Sequence, residues 1–400
     1  MSSAWSQRFV LEEGLDFLNH GSFGACPRAV LDHQQALREE LERQPMSFMV
    51  RRLQPRLDEA RARLAAFVGA SPADLVFVNN ATTGVNAVLR SLELQAGDEL
   101  LTTSHAYNAC ANALRFVAGR AGATVKVIEL PFPLKDPAEV VERVLDAVSD
   151  RSRLLLIDHI TSPTGLVLPI EAIVPELERR GIAVLVDGAH GPGMVELDLP
   201  ALGASYYTGN WHKWCCAPKG AAFLWVREDR RREVRPVVIS HGASLEAAGL
   251  DRFHPEFDWV GTDDPTAWLS AAEALRFLEA TVEGGWPAIR ARNRALCLEA
   301  RDLLCEALEI ERTAPDAMIG TLAALPLPDR PRPEARPHLD LDPLQEVLLA
   351  DHRIEVPIVP FPAPLGRLVR ISAHLYNHRA QYQRLADALP AALEKVDSRA

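Results

Sequence analysis

A carboxylate and an amine stand where a parallel sheet would bring them together. The stretch Gly181-Ile-Ala-Val-Leu-Val-Asp187-Gly-Ala-His190 reads as a short, fully apolar strand that ends in an acid. Lys213 follows 26 residues later, in Thr208-Gly-Asn-Trp-His-Lys213-Trp-Cys-Cys-Ala-Pro-Lys-Gly220. That separation allows one crossover and a return to the same edge of the sheet. A lysine amine can form a Schiff base with an aldehyde, and a carboxylate can keep a heterocyclic nitrogen protonated so that the ring accepts electrons. Pyridoxal 5′-phosphate (PLP) chemistry requires both groups. Singly, an acid after a strand is most often a cap, and a lysine most often lies on the surface. The pair, with His190 and His212 beside it, carries the reading.

Other strand ends supply further polar groups. After Leu75-Val-Phe-Val78 comes Asn79-Asn-Ala-Thr-Thr-Gly84-Val-Asn86, where small and hydroxyl residues enter a helix. Free N–H groups and the positive dipole end suit a phosphate there, although a plain N-cap by Thr82 or Thr83 is the simpler use of the same residues. Thr103-Ser-His-Ala-Tyr107-Asn108 sets an aromatic face after the next strand, equally readable as an amphipathic helix start. Asp158-His159-Ile-Thr161-Ser162-Pro163 forms a polar loop in which Ser162 can donate to a phenolate oxygen, whereas His159 can be a satisfied structural histidine. Asn210 and His212 precede the lysine. Five strand ends thus present groups suited to a phosphate, a ring face, a phenolate, a pyridinium and an imine carbon.

The elements that must hold these groups alternate. Short apolar strands are expected at 75–78, 99–102, 125–129, 153–158, 183–186, 204–207 and 221–226. Helical stretches stand between most of the first five, and 28–43 and 55–68 precede them with helical periodicity. The rhythm predicts an α/β fold with a mainly parallel seven-stranded sheet sandwiched by helices. After about Gly261 the texture changes to two long helices (265–279 and 286–308), weak strands near 318–324, 353–358 and 368–371, and a last helix at 381–395. We therefore divide the chain into an N-terminal segment (1–16) packing on the small domain, a large PLP-binding domain (17–260) and a small C-terminal α+β domain (261–400). Proline is densest over 326–343, which reads as a rigid connection.

Composition narrows the class. The chain has 400 residues, 48% apolar and 24% charged, with a formal net charge of −11, which argues against nucleic acid or an anionic membrane as main partner. It shows no basic-then-apolar leader and no apolar run near 18 residues, so it reads as cytoplasmic. Six cysteines lack C-x-x-C spacing and read as free thiols, with no metal site expected. Cys215 and Cys216 read as packing residues.

Seven segments together resemble the class V aminotransferase family of fold-type I PLP enzymes, and within it the isopenicillin N epimerase-like branch. They are Phe17-Leu-Asn-His20-Gly-Ser-Phe-Gly24, Asn80-Ala-Thr-Thr-Gly84, Asp187-Gly-Ala-His190-Gly-Pro-Gly193, Thr208-Gly-Asn-Trp-His-Lys213-Trp, Pro218-Lys-Gly220, Phe257-Asp-Trp-Val-Gly-Thr262-Asp-Asp264 and Val369-Arg370-Ile-Ser-Ala-His-Leu-Tyr-Asn377. The resemblance implies that Ala81, Thr82 and Thr83 cradle the cofactor phosphate and Tyr107 stacks on the ring, where desulfurases carry histidine. It implies Asp187 on the pyridine nitrogen, His190 and Ser162 near the phenolate oxygen, Asn210 and His212 on the phosphate, and Lys213 as the Schiff-base lysine. Ser162 stands where desulfurases carry asparagine or glutamine. The resemblance further implies that Thr262 reaches the phosphate of a second subunit, that Arg370 holds the substrate carboxylate, and that Asn19 and His20 border the substrate pocket. The expected protein is a homodimer with shared active sites, acting at Cα of an amino acid as an epimerase or racemase. A C–S lyase, an aminotransferase and a PLP-fold binder without catalysis are the alternatives; a binder needs neither Asp187 nor Lys213.

Overall fold

The computed structural model describes residues 5–247, 249–330, 341–362 and 365–398. Its strands are β1 (Asp16–Phe17), β2 (Leu75–Val78), β3 (Glu99–Thr103), β4 (Thr124–Ile128), β5 (Ser152–Asp158), β6 (Ala183–Gly188), β7 (Tyr206–Asn210), β8 (Ala222–Val226), β9 (Leu322–Leu327), β10 (Ile354–Glu355), β11 (Ile358–Pro360) and β12 (Arg367–Ser372). Seven of them form one sheet in the order β2-β8-β7-β6-β5-β3-β4, with only β8 running against its neighbours. This is the mainly parallel, helix-covered sheet that the alternating pattern predicts. The central strands are buried on both faces, so they need no polar alternation. β4 departs from the expected apolar strand: it is a sheet edge, largely exposed, and Lys126 Nζ turns aside to donate to the Ala147 carbonyl at 2.7 Å.

Asp158 and Asp187 are register partners at the ends of β5 and β6. From β6 the chain crosses through a short helix (Leu199–Leu202), capped by Asp198, and returns as β7 beside β6. Lys213 lies in the connection from β7 to β8. The helix Ala81–Ser91 starts directly after β2, and a Cβ at Gly84 would strike the Thr208 hydroxyl, so glycine lets its first turn sit on β7.

The second unit is an antiparallel sheet, β11-β12-β9, covered by helices Gly285–Ala307, Pro343–His352 and Arg379–Asp397. Here the weak strand signals shift. A 3-10 turn at Asp316–Met318 delays β9 to Leu322, and β10 and β11 part at Val356-Pro357. The helix Pro343–His352 has no counterpart among the expected elements, though Asp342 caps it and Pro343 opens it. The proline-dense stretch falls in large part on 331–340, outside the described residues. The N-terminal segment lies on this second unit: β1 pairs with β10, Asp16 bonds Arg384 at 2.6 Å, and Ser372 donates to the Leu18 carbonyl at 3.0 Å. Helix Thr266–Thr281 instead packs on helices Arg28–Arg43 and Leu53–Phe67. Where the chain leaves the N-terminal segment, Gly24 has φ +71°, and any Cβ would meet the His212 carbonyl. That close approach brings Asn19–Phe23 beneath the Lys213 turn.

Candidate active site

The site lies at the C-terminal ends of the parallel strands, where the helix starts leave donors unpaired and where α/β sheets gather ligands. Lys213 is half-buried, and its Nζ is 2.9 Å from Nε2 of His190. The Trp214 indole N–H donates to Nδ1 of the same ring at 3.2 Å. Burial, with Lys213 next in weight, holds the His190 imidazole well below its usual pKa, so the ring is neutral. With Nδ1 occupied as an acceptor, its one proton is on Nε2 and points at Lys213. Lys213 therefore accepts that bond as a neutral amine. Burial first, then the Arg370 charge, lowers its pKa to about 8, against the pull of Asp187, so this neutral form prevails above that pH.

Asp187 is buried. Its Oδ1 accepts the Ala189 N–H at 3.1 Å and its Oδ2 accepts the Cys110 thiol at 3.0 Å. Among the described residues no lysine, arginine or histidine forms an ion pair with it. Beside it the Asp158 carboxyl is pushed well up by burial and by Asp187, and it accepts the backbone N–H of Tyr107. Tyr107 precedes helix Asn108–Ala121 and is 46% exposed, with its phenol close enough to Arg370 to feel the charge.

Arg370, from β12, is buried with only neutral oxygens around it among the described residues. One terminal nitrogen donates to the Ser162 carbonyl at 2.5 Å and its hydroxyl at 3.3 Å, and the other to the Ser22 hydroxyl at 2.9 Å. Nε has no partner. Burial lowers its pKa to about 10. Asn19 acts one bond further out: its Oδ1 accepts from Ser22 at 2.5 Å, while its Nδ2 donates to Glu355 at 3.3 Å. His20 does not turn a nitrogen toward this space. Nε2 donates to the Lys213 carbonyl at 3.0 Å, Nδ1 accepts from Tyr376 at 2.8 Å, and the ring stacks on His374 with centroids 4.1 Å apart. Its place is under the lysine turn. Cys216 lies with these two histidines, but both Nε2 atoms face backbone carbonyls.

Around the start of helix Ala81–Ser91, Asn80 supplies the cap, accepting from Thr83 N at 2.9 Å, rather than Thr82 or Thr83. Asn210 Oδ1 accepts the Ala81 N–H at 2.9 Å. His212 donates Nδ1–H to the Ala221 carbonyl at 2.9 Å, and burial lowers its pKa to about 4. Thr262 stands apart, exposed in the loop before helix Thr266–Thr281. Sequence reasoning passed over Ser22, Asp158, Trp214 and Cys110 as site residues. Ser22 and Trp214 lie inside the segments already singled out, whereas nothing local marks Cys110.

The family model described as aminotransferase class-V matches residues 24–322. The chain belongs to that family, whose cofactor is PLP. It is 35% identical to the isopenicillin N epimerase of Amycolatopsis lactamdurans, over 97% of this chain and 98% of that protein. It is 34% identical to the isopenicillin N epimerase of Streptomyces clavuligerus, over 96% of both. A probable chloroplastic L-cysteine desulfhydrase of Arabidopsis thaliana is 32% identical over 93% of this chain and 82% of its own length. Among solved structures, a cysteine desulfurase from Thermococcus onnurineus NA1 superimposes with a TM-score of 0.78 at 18% identity, covering 99% of both chains. A C-DES variant with glycine covalently linked to its PLP cofactor gives 0.77 at 22%, covering 94% of this chain and 96% of the other. The residues present fit the cofactor. A buried acid without a cation suits a ring N–H⁺, a neutral lysine suits an aldehyde, and a buried guanidinium without an anion is left for a carboxylate.

Proposed function

We propose that the protein is a PLP-dependent epimerase or racemase that inverts Cα of an amino acid or amino-acid derivative. The observation that carries the proposal is the neutral Lys213 amine beside the buried, anion-free Arg370. The near full-length likeness to isopenicillin N epimerases supports the reaction type.

Asp187 is assigned to the ring nitrogen, His190 Nε2–H and Ser162 to the phenolate oxygen, and Ala81, Thr82, Thr83, Asn210 and His212 to the phosphate, with Tyr107 on the ring face. Lys213 would hold the cofactor through its amine. When bound, PLP supplies an electrophilic carbon and an electron sink for charge left at Cα. Arg370 grips the substrate carboxylate through the fork that Ser22 and Ser162 now hold, and so sets which Cα bond stands ready to break. As a free amine whose pKa burial and the Arg370 charge lower to about 8, Lys213 would take the Cα proton. Inversion needs a donor on the opposite side; with both His20 nitrogens engaged, the Tyr107 phenol or a water is left for that task.

The second reading is β-elimination of a sulfur leaving group, favoured by the likeness to cysteine desulfhydrases, which begins with the same proton removal. Turnover of an amino-acid panel in deuterated solvent separates the two. Epimerisation yields the opposite enantiomer carrying deuterium. Pyruvate and ammonia from cysteine, with no enantiomer exchange across the panel, would replace the epimerase by the lyase. Borohydride reduction and peptide mapping should label Lys213, and a label on Lys219 would overturn the lysine assignment. We also read the protein as a cytoplasmic homodimer in which Thr262 reaches the phosphate of the second copy. Among the described residues no helix is long and apolar enough to cross a membrane. Thr262→Ala should weaken PLP retention without unfolding the chain, and a fully active monomer in sedimentation would refute the shared site.

A further inference from the structure

The Cys110 thiol is 1% exposed and 3.0 Å from Asp187 Oδ2, a contact between residues 77 positions apart. It lies in the first turn of helix Asn108–Ala121, three residues after Tyr107, so one helix start presents both the phenol and the thiol. The Thr82 hydroxyl is also within bonding reach of the sulfur. Burial, and then Asp187, push the thiol pKa far up, so the sulfur keeps its proton and acts as a donor. With the Ala189 N–H on Oδ1, the two bonds fix the carboxylate plane at both oxygens.

We propose that Cys110 is a positioning residue for Asp187, orienting the carboxylate toward the cofactor's ring nitrogen through a donor weak enough to leave its charge almost undiminished. A guanidinium or ammonium in the same place would neutralise the acid and loosen its hold on a ring proton. A thiol is among the weakest side-chain donors, so it supplies direction at little cost in basicity. The inference rests on the reading of Asp187 as the partner of the ring nitrogen, and its test separates the two.

Apoprotein is titrated with PLP and with a PLP analogue whose ring nitrogen is replaced by C–H. Cys110→Val, which removes the donor and adds about one methyl group, should weaken PLP about tenfold, the scale of one lost bond to a charged group, and leave the analogue's affinity unchanged. Cys110→Ser, which keeps a donor, should recover most of the loss. Equal weakening of both ligands by Cys110→Val, or no weakening of either, overturns the role. If Asp187→Asn fails to favour the analogue over PLP, the Asp187 reading is what falls. Should the Cys110 variants not fold, infrared spectra of the apoprotein still decide the matter. The hydrogen-bonded S–H stretch of Cys110 should move toward that of a free thiol in Asp187→Asn, and an unmoved band overturns the pairing.

Discussion

Replacing Lys213 by methionine should make the apoprotein more stable near neutral pH. Folding lowers the lysine pKa from 10.5 to about 8, chiefly by burial. At roughly 1.36 kcal/mol per unit, the folded state carries a penalty of about 3 kcal/mol for holding the ammonium form. The side chain is only half-buried, and solvent screening brings this to about 2 kcal/mol. Methionine loses the bond to His190, worth about 1 kcal/mol, so a net gain of about 1 kcal/mol remains. With about 2 cal/mol/K of unfolding entropy per residue, that raises the melting temperature by about 1 °C. The sign with pH is definite. A base whose folded pKa is depressed destabilises below that value and ceases to do so as pH rises through its unfolded value. The advantage of Lys213→Met should therefore be largest below about pH 8 and turn into a deficit of about 1 kcal/mol toward pH 10.5, where only the lost bond to His190 remains. Paired calorimetric scans of the two apoproteins across this window cancel the other titrating groups. A variant less stable than the parent near neutral pH, or an offset that ignores pH, would refute the reasoning.

Asp187→Asn should still bind PLP but turn over slower by on the order of 10², because the charge that holds the ring proton is gone while the shape is nearly kept. Near-normal activity in steady-state assays would remove Asp187 from the mechanism. Arg370→Lys should raise KM by roughly tenfold or more, since a point charge cannot reproduce the fork held by Ser22 and Ser162; an unchanged KM would count against carboxylate binding there. Intact-mass analysis after incubation with cysteine should find no protein-bound persulfide. No cysteine follows Cys305, and burial pushes the thiols of Cys110, Cys215 and Cys216 well up.

The large sheet was legible in the sequence because buried parallel strands are written as short, uninterrupted apolar runs, and Val184 to Asp187 or Leu154 to Asp158 follow that pattern closely. The alternation of those runs with helices also determined where ligands collect, and so singled out Asp187, Lys213 and the turn after Val78 from spacing alone. The small unit was less legible. β10 has two residues, and the extents of β9 and β10 depend on pairing with β12 and with β1, partners far away in sequence. Only the tertiary structure decided what each polar group does with its hydrogen-bonding atoms. His20 looked like a pocket residue until its two nitrogens were found on Tyr376 and the Lys213 carbonyl. Cys110 was one of six free thiols until folding set it against Asp187. Residue types and local periodicity are properties of the chain. The protonation of Lys213, the tautomer of His190 and the isolation of Arg370 arise from burial and from contacts between distant segments, which no local pattern encodes.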